Sequence, residues 1–205
     1  MADHLKQMFD LPKDASPEAV RQLYNSWAQS YEHDVEQIDY VPFKSCTELF
    51  SAYVHDKNAL ILDVGAGTGL TGLELVRNGF ARIDALDIST AMLEKAREKG
   101  IYRHLLEGLV GQETIIQSVA RGSYDAAIST GMFTGGHVTS KGLDDMLHAV
   151  RPGGLVCFSV RSDVLASFQL KVHSLVADGA ATLLLEQSAD YHRFNQGVCF
   201  ILCKV

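Results

Sequence analysis

The chain has little cysteine, little proline and no excess of cations. Only four of its 205 residues are cysteine (Cys46, Cys157, Cys199 and Cys203) and four are proline. No cysteines form a C-x-x-C, and no cysteine–histidine spacing resembles a zinc site, so no metal is expected. If Cys199 and Cys203 share a strand, they lie on one face about 13 Å apart, too far for a disulfide. The thiols therefore read as free and buried, which suits a reducing compartment. Nowhere do eighteen apolar residues run together, so no membrane span is expected. Met1-Ala2-Asp3-His4 lacks the apolar core of a secretory signal. The cytoplasm is the default location, with the nucleus open by diffusion. Lys and Arg number 18 against 25 Asp and Glu, a net charge of −7. That balance argues against nucleic acid as a partner, because phosphate binding needs clustered cations. What is present is an apolar fraction of 47%, too high for disorder and ordinary for one globular domain.

Three of the four prolines (Pro12, Pro17, Pro42) fall within the first 42 residues. This break separates an N-terminal helical lid segment, residues 1–57, from a more regular domain, residues 58–205. Ser16-Pro17-Glu18 has the form of a helix start, with an N-cap serine and proline in the first turn. Val20, Leu23, Tyr24, Trp27 and Tyr31 then recur at helical spacing. A second helix follows Pro42. From Ala59 onward short apolar runs alternate with helical segments. Strands are predicted at 59–64, 83–87, 102–107, 124–130 and 155–160, and helices at 68–79, 90–99, 112–120, 143–150 and 163–177. Two strands near 182–188 and 198–205 close the chain with no helix between them, so they must pair antiparallel. The pattern is an α/β fold with a parallel sheet ending in a hairpin.

The strongest chemical signal is Asp63-Val64-Gly65-Ala66-Gly67-Thr68-Gly69, at the turn from the first strand to its helix. Open α/β sheets bind ligands there. The glycines let a ligand approach the backbone closely, and the helix N-terminus favours negative charge. Asp87 ends the next strand, 22 residues after Gly65, where a carboxylate can accept both hydroxyls of a ribose. A dinucleotide fingerprint would place its third glycine at position 70, which is Leu70. Asp63 repels a pyrophosphate and attracts an ammonium. A ligand with adenosine, an amino group and a carboxylate satisfies all three features, and S-adenosylmethionine has those groups.

With Asp87-Ile88-Ser89, Tyr124-Asp125-Ala126 and Arg151-Pro152-Gly153-Gly154, these residues resemble the motif series of class I S-adenosylmethionine-dependent methyltransferases. Within that superfamily, Tyr24 to Ala28, Tyr31-Glu32, Tyr40-Val41-Pro42 and Gly108 to Glu113 resemble the methyltransferase-like protein 27 family of the Williams–Beuren syndrome region. The resemblance implies a Rossmann-like three-layer sandwich. Its seven-stranded, mostly parallel sheet has the order 3-2-1-4-5-7-6, with strand 7 antiparallel. It implies S-adenosylmethionine as cofactor and S-adenosylhomocysteine as product. Asp63 would lie near the methionine amino group and Gly65, Ala66, Gly67 and Gly69 under the methionine portion. Asp87 would hold the ribose and Ile88 would pack on adenine, with Met92 and Leu109 also at the cofactor. Thr130 and Gly131 would sit near the methionine end. Many members carry Gly-Asp after the third strand; here the pair is Gly108-Leu109, so adenine falls to backbone groups or to Gln112 or Glu113.

Methyl transfer from a sulfonium is an in-line displacement, which asks the protein mainly to align the acceptor and exclude water. A general base matters only where the acceptor loses a proton. His137 is the candidate base, against a loop histidine that merely bonds backbone. Arg161, ending the fifth strand, either meets an acidic acceptor or pairs with Asp163. His33 and His192 read as surface residues. Tyr24, Trp27 and Tyr31 form an apolar stripe whose usual meaning is core packing; a lid helix would bring Trp27 and Tyr31 against the cofactor. The acceptor is expected to be a small or unidentified molecule. Two rivals stand beside an enzyme of this kind: a non-catalytic cofactor-binding protein acting through a partner, and an NAD-dependent oxidoreductase.

Overall fold

The computed structural model describes residues 3–112 and 116–205. Four helices precede the first strand: α1 (Asp3–Phe9), α2 (Pro17–Trp27), α3 (Tyr31–Glu36) and α4 (Pro42–Tyr53). Then follow β1 (Ile61–Val64), α5 (Leu70–Arg77), β2 (Ile83–Asp87), α6 (Thr90–Glu98), β3 (Leu105–Glu107) and β4 (Tyr124–Phe133). The chain ends with α7 (Gly142–Ala149), β5 (Val150–Arg161), α8 (Leu165–Ala177), β6 (Ala181–His192) and β7 (Asn195–Lys204). One seven-stranded sheet has the order β3-β2-β1-β4-β5-β7-β6. β7 alone runs antiparallel to both of its neighbours. The chain builds outward from β1 to β3, then returns to lay β4 on the other side of β1. That reversal opens a crevice beyond the carboxyl ends of β1 and β4.

Alternation along the strands loads both faces. Leu62 and Val64 of β1 join Leu86, Phe133, Phe158 and Phe168 in one core. Ile61 joins Ile83, Ile128, Cys157 and Cys199 in the other, covered by Phe50 of α4 and Leu75 of α5. α4 thus belongs to the helical layer of the sheet. A third cluster, with Leu5, Trp27, Val35 and Ile38, seats α1 to α3 on Met92 as a cap. All four cysteines are free thiols. Among the described residues no helix is long and apolar enough to cross a membrane.

Ser16 caps α2 by accepting from the Ala19 amide at 3.2 Å, and Pro17 occupies the first turn. Ser89 caps α6 in the same way at 3.1 Å, and its hydroxyl donates to Asn25 Oδ1 at 2.7 Å, which ties α2 to the start of α6. The aromatic stripe does not continue in one helix. α2 stops at Trp27 and α3 restarts at Tyr31, because Asp34 draws both the Trp27 indole and the Ser30 hydroxyl, at 2.8 and 2.9 Å. The helix expected over 112–120 is also corrected in part. Residues 113–115 lie outside the described residues, and Gln112 and residues 116–120 are not helical. The buried Asp145 carboxylate accepts from the amides of Gly111 and Ile116, at 2.6 and 2.7 Å, which takes both groups out of any helical ladder.

Candidate functional site

A cavity of about 280 Å³ opens at the reversal of strand order. Its floor is the end of β1 with Gly65 and Gly67; one wall is Asp87, Ile88 and Met92; the loop after β3 supplies Leu109 to Gln112. β4 contributes Thr130, Gly131 and Met132, and α2, Tyr31 and residues 13–15 cover the top. Gly65, Gly67 and Gly69 all have positive φ, 70°, 55° and 95°, a backbone that only glycine adopts without strain. The amides of Gly65 and Ala66 both donate to the Leu86 carbonyl, at 2.8 and 3.1 Å, and the Gly69 amide donates to Ala66. The bend therefore admits a ligand by its lack of side chains more than by free N–H groups.

Asp87 stands where a ribose carboxylate is needed. Its Oδ2 accepts from the Gly67 amide and its Oδ1 from the Ser89 amide, both at 2.8 Å. Burial raises its pKa, while the amides of Ser89, Gly67 and Ile88 pull it down. Each carboxylate oxygen has a second lone pair for a ligand hydroxyl. These features form a cradle for a nucleoside, and the residues fit S-adenosylmethionine.

Asp63 sits below the bend and does not line the cavity. It is fully buried, its Oδ2 accepts from the Tyr102 hydroxyl at 2.6 Å, and its Oδ1 has no partner. Burial lifts its pKa to about 7, against the pull of Tyr102. Its charge can reach the cavity through the turn rather than by contact. Tyr102, 39 residues away in sequence, carries no motif that would have announced it. Ala66 and Gly69 also shape the turn without lining the cavity, and the Thr130 hydroxyl is taken by Thr71 at 2.6 Å. Of the two candidates for reading adenine, Gln112 lines the cavity and Glu113 lies outside the described residues.

His137 lines the cavity with both ring nitrogens engaged. Nδ1 lies 2.9 Å from the Gly135 carbonyl, so it carries the proton and donates; Nε2, 2.7 Å from the Tyr24 hydroxyl, accepts. Burial pushes its pKa down to about 4, so the ring is neutral at pH 7. Tyr24 is the residue that the stripe reading underweighted. It bonds His137, lines this cavity and stacks on Trp27.

A second cavity, of about 30 Å³, shares Tyr24, Tyr31 and Gly131 with the first. Trp27 and Arg161 line this one. Arg161 does pair with Asp163, Nε to Oδ1 at 2.7 Å and Nη2 to Oδ2 at 2.6 Å, yet it is only 7% exposed. His192, expected at the surface, is buried. β6 runs on to residue 192, and the His192 ring packs edge-on against Phe9 of α1.

Comparison with known proteins agrees with this geometry. Residues 61–154 match a family model described as a methyltransferase domain. Human methyltransferase-like protein 27 is 34% identical over 153 residues, 72% of this chain, and the chain spans about 60% of that protein's length. Magnesium protoporphyrin IX methyltransferase from Synechocystis, solved with bound S-adenosylhomocysteine, superposes with a TM-score of 0.68 at 14% identity, covering 93% of this chain and 100% of that one. The cyclase SpnF superposes equally well, with a TM-score of 0.68 at 14% identity over 95% and 98% of the two chains.

Proposed function

We propose that the chain is a class I S-adenosylmethionine-dependent methyltransferase, and that it methylates a small molecule seated between the sheet's carboxyl ends and the helical cap. The observation that carries this reading is the pair of adjoining cavities, one a nucleoside cradle around Asp87 and the other a small pocket behind Tyr24 and Gly131. The second is far too narrow for a folded protein or a duplex. The formal charge of −7 also supports a small acceptor over nucleic acid. Four free thiols support a reducing compartment, the cytoplasm with access to the nucleus.

S-Adenosylmethionine, when bound, supplies a methyl group already activated by a positive sulfur. Asp87 fixes the nucleoside half, and the glycine bend lets the methionine half lie close. The cap excludes water: Trp27 is buried and hydrogen-bonded to Asp34, and Tyr24 is locked to His137. Tyr24 lines both cavities and its hydroxyl is held by His137 Nε2, which sets a phenol oxygen beside an acceptor seated between them. With a pKa near 4, His137 is neutral at pH 7 and only a weak base, so the pair positions an acceptor more than it drives deprotonation.

The test uses methyl-tritiated S-adenosylmethionine and a cell extract split into low- and high-molecular-weight fractions. Label appearing in the small-molecule fraction, dependent on the protein, is the expected result. Label confined to macromolecules would overturn the acceptor class. Calorimetry showing tight NAD binding and none to S-adenosylhomocysteine would overturn the reaction.

A further inference from the structure

The second cavity has more unsatisfied polar groups than its size warrants. Tyr191, Thr134 and His192 line it, and among the described residues the Thr134 hydroxyl and His192 Nε2 are buried without a hydrogen-bond partner, while the Tyr191 hydroxyl has at most the Ser159 hydroxyl beside it. Those residues are 3%, 5% and 7% exposed. A buried polar atom left unpaired costs about 1–3 kcal/mol, so such groups gathered at one spot call for a partner, water or ligand, that satisfies them.

The donor pattern says which ligand. His192 Nδ1 accepts from the Phe194 amide at 3.2 Å. The proton of the neutral ring therefore sits on Nε2, which faces the cavity as a donor. Arg161 spends Nε and Nη2 on Asp163, but Nη1 has only the Met8 thioether, 3.9 Å away. A thioether is a weak acceptor, so this nitrogen too is a donor in want of an oxygen. The two hydroxyls can donate as well. A small pocket lined by an arginine, an imidazole N–H and two hydroxyls is built for an oxygen acceptor.

Charge and size narrow the class further. Arg161 is the one cationic side chain among the described residues lining the cavity, and it is shared with Asp163 while Nη1 stays available; that is too little charge for a dianion and enough for a monoanion. The space is about 30 Å³, enough for a water or two or the head of a carboxylate. The outer walls, Tyr24 and Tyr31, lead back to the nucleoside cavity.

We infer that the methyl acceptor is a small organic carboxylate, whose carboxylate enters the second cavity and is held by Arg161 Nη1, His192 Nε2–H and the Tyr191 hydroxyl. This inference rests on the methyltransferase reading. It makes Arg161 a substrate-binding residue whose pairing with Asp163 sets the angle of the guanidinium. The low pKa of His192, caused by burial and by Arg161, keeps the ring in the single-donor form.

The probes are acetate and propionate, with acetamide as the uncharged isostere and inorganic phosphate as the dianion. They are titrated into the full chain saturated with S-adenosylhomocysteine, and the side-chain NMR signals of Arg161 and His192 are followed. The expected result is saturable binding of the carboxylates, at least about tenfold tighter than acetamide, with phosphate weaker. Arg161→Gln should lower carboxylate affinity about tenfold or more, and leave S-adenosylhomocysteine affinity unchanged. Tyr191→Phe, which keeps the ring packing, should lower carboxylate affinity several-fold and decides the matter if the arginine variant does not fold. Acetamide binding as tightly as acetate, or phosphate binding best, would overturn the inference while the methyltransferase reading stands. Failure of S-adenosylhomocysteine itself to bind would remove the reading beneath it.

Discussion

The Tyr102–Asp63 contact under the glycine bend makes a pH-dependent prediction. Among the described residues the tyrosine hydroxyl is the only hydrogen-bond partner of the Asp63 carboxylate, on Oδ2 at 2.6 Å, and Oδ1 has none. Burial holds this carboxyl up at about 7, Tyr102 pulls it down, and nearby Asp87 raises it. Tyr102→Phe removes the stabilising donor, so the native pKa must rise further. A hydrogen bond contributes about 1.5–3 kcal/mol to the charged carboxylate and about 1 kcal/mol to the neutral acid, a difference of up to about one and a half pKa units at about 1.36 kcal/mol each. The unfolded chain titrates near the ordinary ~3.9. Between those values the native protein binds more protons than the unfolded chain, so stability falls as pH rises. In the wild type this loss is complete once pH passes about 7; in the variant it continues for up to about another unit and a half. At pH 5 Asp63 is protonated in both proteins, and they should differ only by a neutral hydrogen bond, about 1 kcal/mol. At pH 9 the gap should widen by a further ~1 kcal/mol. Urea unfolding at the two pH values, with slopes compared to exclude a change in the unfolded state, measures it directly. An equal gap at both, or a larger one at pH 5, would refute the assignment of a titrating carboxylate held by Tyr102.

Other perturbations have equally definite outcomes. Asp87→Ala removes the acceptor for two ribose hydroxyls and should weaken S-adenosylhomocysteine binding about 100-fold or more by calorimetry; unchanged affinity would contradict the cradle. His137, with its pKa near 4, should show neutral-ring NMR shifts from pH 5 to 8, and a midpoint near 6.5 would count against its buried pairing with Tyr24. Gly131→Ala places a methyl group on the Tyr40 hydroxyl at a φ of +80°. It should unseat the cap, lowering stability by about 1–3 kcal/mol and reducing turnover; a neutral effect in thermal unfolding would mean the cap is not packed on β4. Trp27→Ala should cost about 3–5 kcal/mol, and a loss below 1 kcal/mol would show that the cap core is not closed in solution.

What was legible in the sequence shares one physical property: it is local. Each βα unit ends its apolar run in an acid or a glycine, so Asp63, the bend and Asp87 could be read from neighbours a few residues apart. The hairpin could be read because no helix lies between β6 and β7, and its antiparallel pairing follows from that alone. The features that were missed depend on distant partners. His192 looks like a surface residue beside Arg193 until α1, some 180 residues earlier, lays Phe9 against it. α1 itself has seven residues and one buried side chain, Leu5, too few to show a helical period. The loop around residue 116 carries helical spacing, yet Asp145 from another element captures its amides. Tyr102 meets Asp63 only because β2 and β3 are neighbours.

The same distinction explains why the fold cannot by itself name the reaction. A methyltransferase and a cyclase both superpose on this chain with a TM-score of 0.68, so the sheet and its bend are a platform that more than one chemistry can use. The sheet's carboxyl ends make the nucleoside cradle from consecutive units, and so it can persist while the rest varies. The second cavity shares Tyr24, Tyr31 and Gly131 with the cradle, but its far side comes from α1, the end of β5 and the hairpin, none of which lines the cradle. On the proposed methyltransferase reading, acceptor choice therefore rests on Arg161, Tyr191 and His192, not on the glycines. It is at those three residues that substitutions should change the choice of acceptor while leaving cofactor affinity intact.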